Sequence, residues 1–383
     1  MASGLRFRKD GTFTVLQFAD VQENPFLNPD TFAFMNAVLD KVKPDFVVYT
    51  GDQLKSYALS FLGPNRRSAE ENVLRKVLEP VTERGIPFTA VFGNHDEASD
   101  FSKEEQYAFY KKLGMVGDEW EGVSGRCNFN IEVLSNDSTP LLRFILFDSG
   151  SKLPDGSTAY VTPEQIDRYR MIRDSSPLIP TLVFQHIPIP ETYLLAKELT
   201  KKQKGSYRGA GSRKRKFYCL PKELIEAGGF MKENFAAPDH NSGEFAAFKE
   251  KGEVKGVFFG HDHSNSFVGE LDGIKIGYTQ GCGFDCYGPG GLRGVRVFEF
   301  SEDDPANFKT YTVTKKEISG KRYARPITAY VYSRSPTSVQ TAIPFVLKRL
   351  AVISAFAITG LIIYKHNKFL FPRQIIWDFS III

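Results

Sequence analysis

The chain has 383 residues, of which 42% are hydrophobic and 25% charged, and its formal net charge is +4. These proportions exclude a disordered or low-complexity chain, and so small a positive surplus does not call for a nucleic-acid partner. Four cysteines in this length exclude a disulfide framework. Cys282 and Cys286 have no second pair nearby to complete a zinc site, so free thiols in a glycine-rich loop are expected.

The stretch from Met1 to Arg6 has no apolar run of the secretory kind, which places the expected domain in the cytosol. Residues 13–18 alternate and then run apolar, the pattern of a strand, and end at Asp20-Val21-Gln22. Asn28 and Pro29 supply an N-cap and a first helical residue for a helix to about residue 42. An apolar strand over 45–49 runs into Thr50-Gly51-Asp52, and a helix over about 68–84 stops at Gly85. A third strand, 88–92, opens into Gly93-Asn94-His95-Asp96. Ser102 with Glu105 is a capping box for a helix reaching residue 113. Residues 128–133 and 141–147 read as paired strands, and Thr162 with Gln165 caps a helix to about 174. Strand 181–185 ends at His186, and strand 254–259 ends at Gly260-His261-Asp262-His263. Strands over 274–278, 295–300 and 308–313 close the pattern.

Short strands alternating with helices predict an α/β fold with parallel pairing and helices on the sheet faces. Such folds bind ligands beyond the carboxyl ends of their strands. Asp20, Asp52, Asn94, His186, His261 and His263 each follow an apolar run, so one sheet edge is expected to gather them. Taken singly, an aspartate reads equally well as a helix cap and a histidine as a core residue. Together they form a hard nitrogen-and-oxygen donor set without thiolate, suited to Mn, Fe, Zn or Mg. Six or seven donors are too many for one tetrahedral ion and suit two ions sharing a carboxylate. Such a pair clamps both oxygens of an in-line displacement at phosphorus, with an activated bridging hydroxide as nucleophile. His95 is placed to be the general acid, with Asp96 beside it to orient the ring.

The ordered set Asp20-Val21-Gln22, Gly51-Asp52, Gly93-Asn94-His95-Asp96, His186 and Gly260-His261-Asp262-His263 resembles the motifs of the calcineurin-like metallophosphoesterases. The run from His186 to Glu191 and the stretch from Gly260 to Gly294 look like the small purple-acid-phosphatase-like branch of plants and fungi. The resemblance implies a four-layer α/β/β/α sandwich and two metal ions, Mn or Fe being favoured. It implies one ion on Asp20, Asp52 and His263, with Gln22 where the family carries histidine. The other ion is implied on Asp52, Asn94, His186 and His261, so that Asp52 bridges. Gln22 offers an amide oxygen, which favours Mn²⁺ or Mg²⁺ at the first position. The true purple enzymes carry tyrosine where this chain has Lys55, with Tyr57 two residues on, so no tyrosinate–iron colour is expected.

The activity implied is hydrolysis of a phosphate ester, most directly a monoester, of a small molecule or a phosphoprotein. A phosphodiesterase or pyrophosphatase acting on nucleotides or lipid-linked phosphates is the chemical alternative. A metal-binding, membrane-tethered module without turnover is the alternative from another class. Eight basic residues and no acidic one lie between 201 and 216, among glycines, and read as a mobile loop able to attract anions. The domain is expected over 1–316, a linker over 317–341, and a tail over 342–383. Within the tail, an apolar stretch at about 343–364, flanked by lysines, is read as a transmembrane or interfacial helix. Membrane association with a cytosolic catalytic domain follows from that reading, a soluble cytoplasmic protein being the alternative.

Overall fold

Two mixed sheets stack because their strands carry apolar residues on both faces. A computed structural model describes residues 4–320, 322–336 and 358–359. Among the described residues, a five-stranded sheet runs in the order Lys309–Thr314, Gly294–Ser301, Thr12–Phe18, Phe46–Thr50, Phe88–Val91. The centre of the larger, nine-stranded sheet is Pro140–Phe147, Thr181–Gln185, Val254–Phe259 and Ile274–Tyr278, all parallel.

Alternation along Pro140–Phe147 sets the layers. Leu142, Phe144 and Leu146 enter the core between the sheets, where Phe144 packs on Phe46 at 5.7 Å and on Phe300 at 6.0 Å. Ile145 and Phe147 point the other way, to Tyr169 of the Pro163–Asp174 helix and Phe248 of the Glu244–Lys249 helix. The helices Pro29–Val42 and Arg66–Thr82 contribute Phe34, Val38, Val73 and Val77 to the first core. Helix, sheet, sheet and helix are therefore the four layers, as the resemblance implied. Asn28 caps the first of these helices, and both expected capping boxes form, at Ser102 with Glu105 and at Thr162 with Gln165.

Three expectations need correction. Pairing is not parallel throughout: Gly294–Ser301 runs antiparallel to Thr12–Phe18, and Asn265–Leu271 runs antiparallel to Ile274–Tyr278. The second pair is a hairpin closed by Asp272 and Gly273, both at positive φ (50° and 79°), a tight turn that sends the chain straight back. The basic segment is no loose loop. It lies across a three-stranded antiparallel sheet of Lys197–Leu199, Tyr207–Arg208 and Phe217–Cys219. Acids from outside the run partner it: Lys216 pairs with Glu198 at 2.6 Å and Arg213 with Asp239 at 3.1 Å. The stretch read as a linker contains a helix, Pro326–Tyr332, which belongs to the compact unit ending at Arg334. Asp30 accepts from the backbone N–H groups of Ala324 and Arg325, anchoring that helix's approach. The expected helix at 343–364 lies outside the described residues except for 358 and 359. Among the described residues, no helix is long and apolar enough to cross a membrane.

Candidate metal centre

Every donor predicted from the sequence sits just past the carboxyl end of a strand, and the loops there are tightly constrained. Asp20, Gln22, Asp52 and His261 all have positive φ (51°, 42°, 54° and 69°), a conformation that non-glycine residues rarely adopt. Such strain persists only where surrounding contacts fix it, and it concentrates at functional sites. The glycines of two motifs are required sterically. A Cβ on Gly93 would overlap the Asp52 carboxylate, and one on Gly51 would lie 2.5 Å from His186 Nδ1.

Asp52 is the centre of the cluster. Its backbone N–H donates to Asp96 Oδ2 (2.7 Å), and its Oδ1 accepts from the backbone N–H of His95 (2.8 Å). Its Oδ2 accepts from Gln22 Nε2 (2.9 Å) and lies 3.5 Å from His186 Nε2. On the second-ion side, His186 Nε2 is 3.2 Å from Asn94 Oδ1 and 3.1 Å from His261 Nδ1. Ligands about 2.1 Å from one ion lie roughly 3 Å apart at the corners of an octahedron, so these separations fit a coordination shell. The Nδ1–H of His186 donates to the Thr50 carbonyl at 2.8 Å, which turns its Nε2 lone pair inward.

On the first-ion side, ligand atoms of Asp20, Asp52 and His263 all lie within 4.8 Å of one another. Asp20 Oδ2 accepts from the His261 backbone N–H at 3.0 Å. Asp20 Oδ1 is fully buried without a hydrogen bond and lies 3.3 Å from His263 Nε2. A buried carboxylate oxygen without a donor is costly, and a cation satisfies it. His263 donates from Nδ1 to the Tyr287 carbonyl (3.1 Å) and stacks on the Tyr287 ring at 4.2 Å, so its Nε2 also faces the cluster. The residues present thus fit a pair of hard cations.

Gln22 differs from the other donors. Its Nε2 faces Asp52 Oδ2 and His263 Nε2 (3.3 Å), while Oε1 accepts from the Tyr57 hydroxyl at 3.0 Å. A half turn of the amide would offer Oε1 to an ion and let Nε2 donate to the same hydroxyl, which accepts as readily as it donates.

The charges agree with the geometry. Burial pulls His186 down, but the Asp52 carboxylate overrides it and leaves the imidazole raised to about 9. His263 is likewise lowered by burial and raised further by Asp20 and the Cys286 thiol, ending well above the usual range. Burial would raise Asp52, yet His186 and His95 outweigh it and hold the carboxyl low. His261, surrounded by other imidazoles, is driven well below 6.5, first by burial and then by His186. The carboxylates of this centre draw positive charge to themselves, which divalent ions supply strongly.

Asp96 does not orient the His95 ring as expected. Its two oxygens take the backbone N–H groups of Asp52, Leu54 (3.0 Å) and Gly93 (2.9 Å), so it fastens the second motif loop to the third. The His95 imidazole lies instead against the Tyr57 ring at 4.5 Å, with Nε2 3.8 Å from Asp52 Oδ2 and about a third of its side chain exposed. Lys55 is buried and donates to the Asp285 carbonyl and to the Tyr332 hydroxyl (3.2 Å). Cys282 and Cys286 are free and buried. The orienting carbonyls of Thr50 and Tyr287 and the Tyr57–Gln22 contact escape a reading of the sequence. Only Tyr57 left a trace there, as the tyrosine displaced by two positions.

Fold and donor set define a class: an α/β/β/α protein with a cluster of hard-metal donors at the strand ends. The chain belongs to the calcineurin-like phosphoesterase family, whose model matches residues 13–265. It is 30% identical over 340 residues, 77% of each chain, to an Arabidopsis thaliana protein named "Probable inactive purple acid phosphatase 14". It is 26% identical over 362 residues to "Phosphatase DCR2" of Saccharomyces cerevisiae, covering 83% of this chain and 57% of that one. A solved structure of a dimetal phosphatase from Danio rerio aligns over 79% of this chain and 99% of its own, at 14% identity and a TM-score of 0.44.

Proposed function

We propose that the chain is a metal-dependent phosphoric ester hydrolase, acting on phosphate monoesters at a two-ion centre. The observation that carries this reading is the convergence of two donor sets on Asp52, with His186 Nε2 on one side and Gln22 on the other. Asp20 and His263 would complete the first set, and Asn94 and His261 the second. These residues would hold the ions, which would supply charge for the phosphoryl oxygens and an activated water. His95, partly exposed beside Asp52, would hold the proton that the departing alkoxide takes. Asp96 keeps the loops bearing Asp52 and His95 in register. The Tyr57 ring fixes the plane of the His95 imidazole.

The full chain, stripped of metal and reloaded with Mn, Fe, Zn or Mg, should hydrolyse p-nitrophenyl phosphate best with Mn or Fe. It should prefer that ester to bis(p-nitrophenyl) phosphate. A diester preference would support the diesterase or pyrophosphatase reading, and no turnover with any ion would refute hydrolysis. Two features favour a second reading, a metal-binding module without turnover: the word "inactive" in the names of plant relatives and the Gln22 amide nitrogen facing the first cradle. His95 counts against it, because a pure binder needs no leaving-group acid. Membrane association through 343–364 is supported by composition alone, and ending the chain at residue 336 is expected to move it from the pelleted to the supernatant fraction.

A further inference from the structure

Beside the metal centre lies a cavity of about 490 Å³ that the chemistry above does not use. No predicted donor lines it, but it adjoins the loop that carries Asn94 and His95. The Ser151 hydroxyl, one of its lining groups, donates to the Asn94 carbonyl (3.4 Å), and the lining residues Glu97 and Ser99 continue that loop. The lining also includes Asp148, a buried carboxylate already satisfied by Lys103 at 2.6 Å and by the Arg126 backbone N–H at 2.9 Å. The volume suits a small molecule, since ligand pockets typically measure roughly 300–1,000 Å³.

Its chemistry narrows the occupant. Hydroxyls of Ser99, Ser124, Ser151 and Tyr160 line it, and Leu153 is the one large aliphatic residue among the lining groups. The lining carries two lysines, Lys103 and Lys152, and three acids, Glu97, Glu104 and Asp148, a surplus of one negative charge, so a second anionic group finds no net attraction. Most lining polar groups already have partners. The Lys152 ammonium and the Tyr160 hydroxyl have none among the described residues, and the Tyr160 ring is braced by the His240 ring at 4.3 Å. With one large aliphatic residue in the lining, an acyl chain would find little apolar surface to cover, whereas the exposed Lys152 and half-buried Tyr160 groups can exchange water for ligand hydroxyls.

We propose that this cavity is the leaving-group subsite and that the substrate is the phosphate monoester of a neutral, hydroxyl-rich small molecule such as a sugar or polyol. This rests on the phosphoesterase reading. Lys152 and Tyr160 donate to hydroxyls of the alcohol portion while the phosphate lies over Asp52. The step itself is hydrolysis: water adds to phosphorus, the phosphorus–oxygen ester bond breaks, and the alcohol leaves with a proton.

The test compares a hexose 6-phosphate with n-hexyl phosphate on the manganese-loaded full chain. Both release a primary alkoxide, so they differ in hydroxyls and not in leaving-group chemistry. The wild type is expected to favour the hexose ester in kcat/KM by roughly 10-fold or more, the worth of one hydrogen bond from the Tyr160 hydroxyl or the Lys152 ammonium. Lys152→Met, Tyr160→Phe and the double variant should bring that ratio towards one through KM, with melting temperature and metal content reporting that the fold persists. An unchanged ratio in the variants, or no preference in the wild type while p-nitrophenyl phosphate is turned over, overturns the subsite alone. Failure to hydrolyse any ester overturns both the subsite and the reading beneath it.

Discussion

The two halves of the candidate metal centre are built from different materials. The second half uses two imidazoles and an amide oxygen, and His186 is aligned by a backbone carbonyl inside the sheet, Thr50. The first half uses one imidazole, one aspartate and Gln22, whose orientation depends on a half-exposed tyrosine. Each half has one imidazole locked by a main-chain acceptor, His186 by Thr50 and His263 by Tyr287, so the difference rests on Gln22: an amide held by a loop hydroxyl can turn. The lesson is that the motif pattern guarantees where donors converge and leaves their relative strength to what stands behind them. The second half should therefore hold its ion more tightly than the first.

Asp52→Asn is the substitution most able to break this picture, because both halves share that carboxylate. It should release both ions and remove several kcal/mol of transition-state stabilisation, on the order of 10³-fold or more in rate. Loss of a single ion, measured by elemental analysis, would show that the halves are independent. His95→Ala should lower turnover of alkyl phosphates by roughly 10²–10⁴-fold and spare metal content. Burial holds the His95 imidazole below its ordinary 6.5. Its protonated form is accordingly lost early, and the rate on poor leaving groups should begin to fall below that pH in a pH–rate profile.

Tyr57→Phe keeps the ring against His95 and removes the hydroxyl that holds Gln22. Outer-shell losses of this kind cost roughly 10–100-fold in metal affinity. Manganese titration should show the weaker site weakened further and the tighter one unmoved, and equal weakening of both would erase the asymmetry. The smallest effect is expected behind the second half, at Glu244, whose carboxyl burial raises to about 8 although Gln185 opposes it. The folded state binds that proton more tightly than the unfolded chain. Its contribution is thus full below about 4.5 and is lost as pH rises through 8, a few kcal/mol at most. Glu244→Gln should flatten the decline of melting temperature over that interval without altering metal binding.

Much of this arrangement was legible in the amino-acid order, for a physical reason. Strand, glycine and polar donor recur together because only a glycine lets one strand-end loop approach the next, as Gly93 does against Asp52. What supports the donors left no such signal. Carbonyls of Thr50 and Tyr287 are backbone groups that any residue type could supply. Asp96 looked like a partner for its neighbour His95, but backbone N–H groups from two loops claim both its oxygens. The Asn265–Leu271 strand was missed because Gly269 and polar residues interrupt its alternation, although Asp272-Gly273 marked the turn. Strands of two or three residues in the basic segment are too short for any periodicity to show, and their order comes from cross-strand pairing such as Phe217 with Leu199.

The claim that two cations share Asp52 is open to direct observation. Crystals of the manganese-loaded protein, measured at the manganese absorption edge, should show two anomalous peaks roughly 3.5–4 Å apart on either side of the Asp52 carboxylate. The stronger peak is expected beside His186 and the weaker beside Gln22. One peak alone, or two that Asp52 does not touch, would contradict the account.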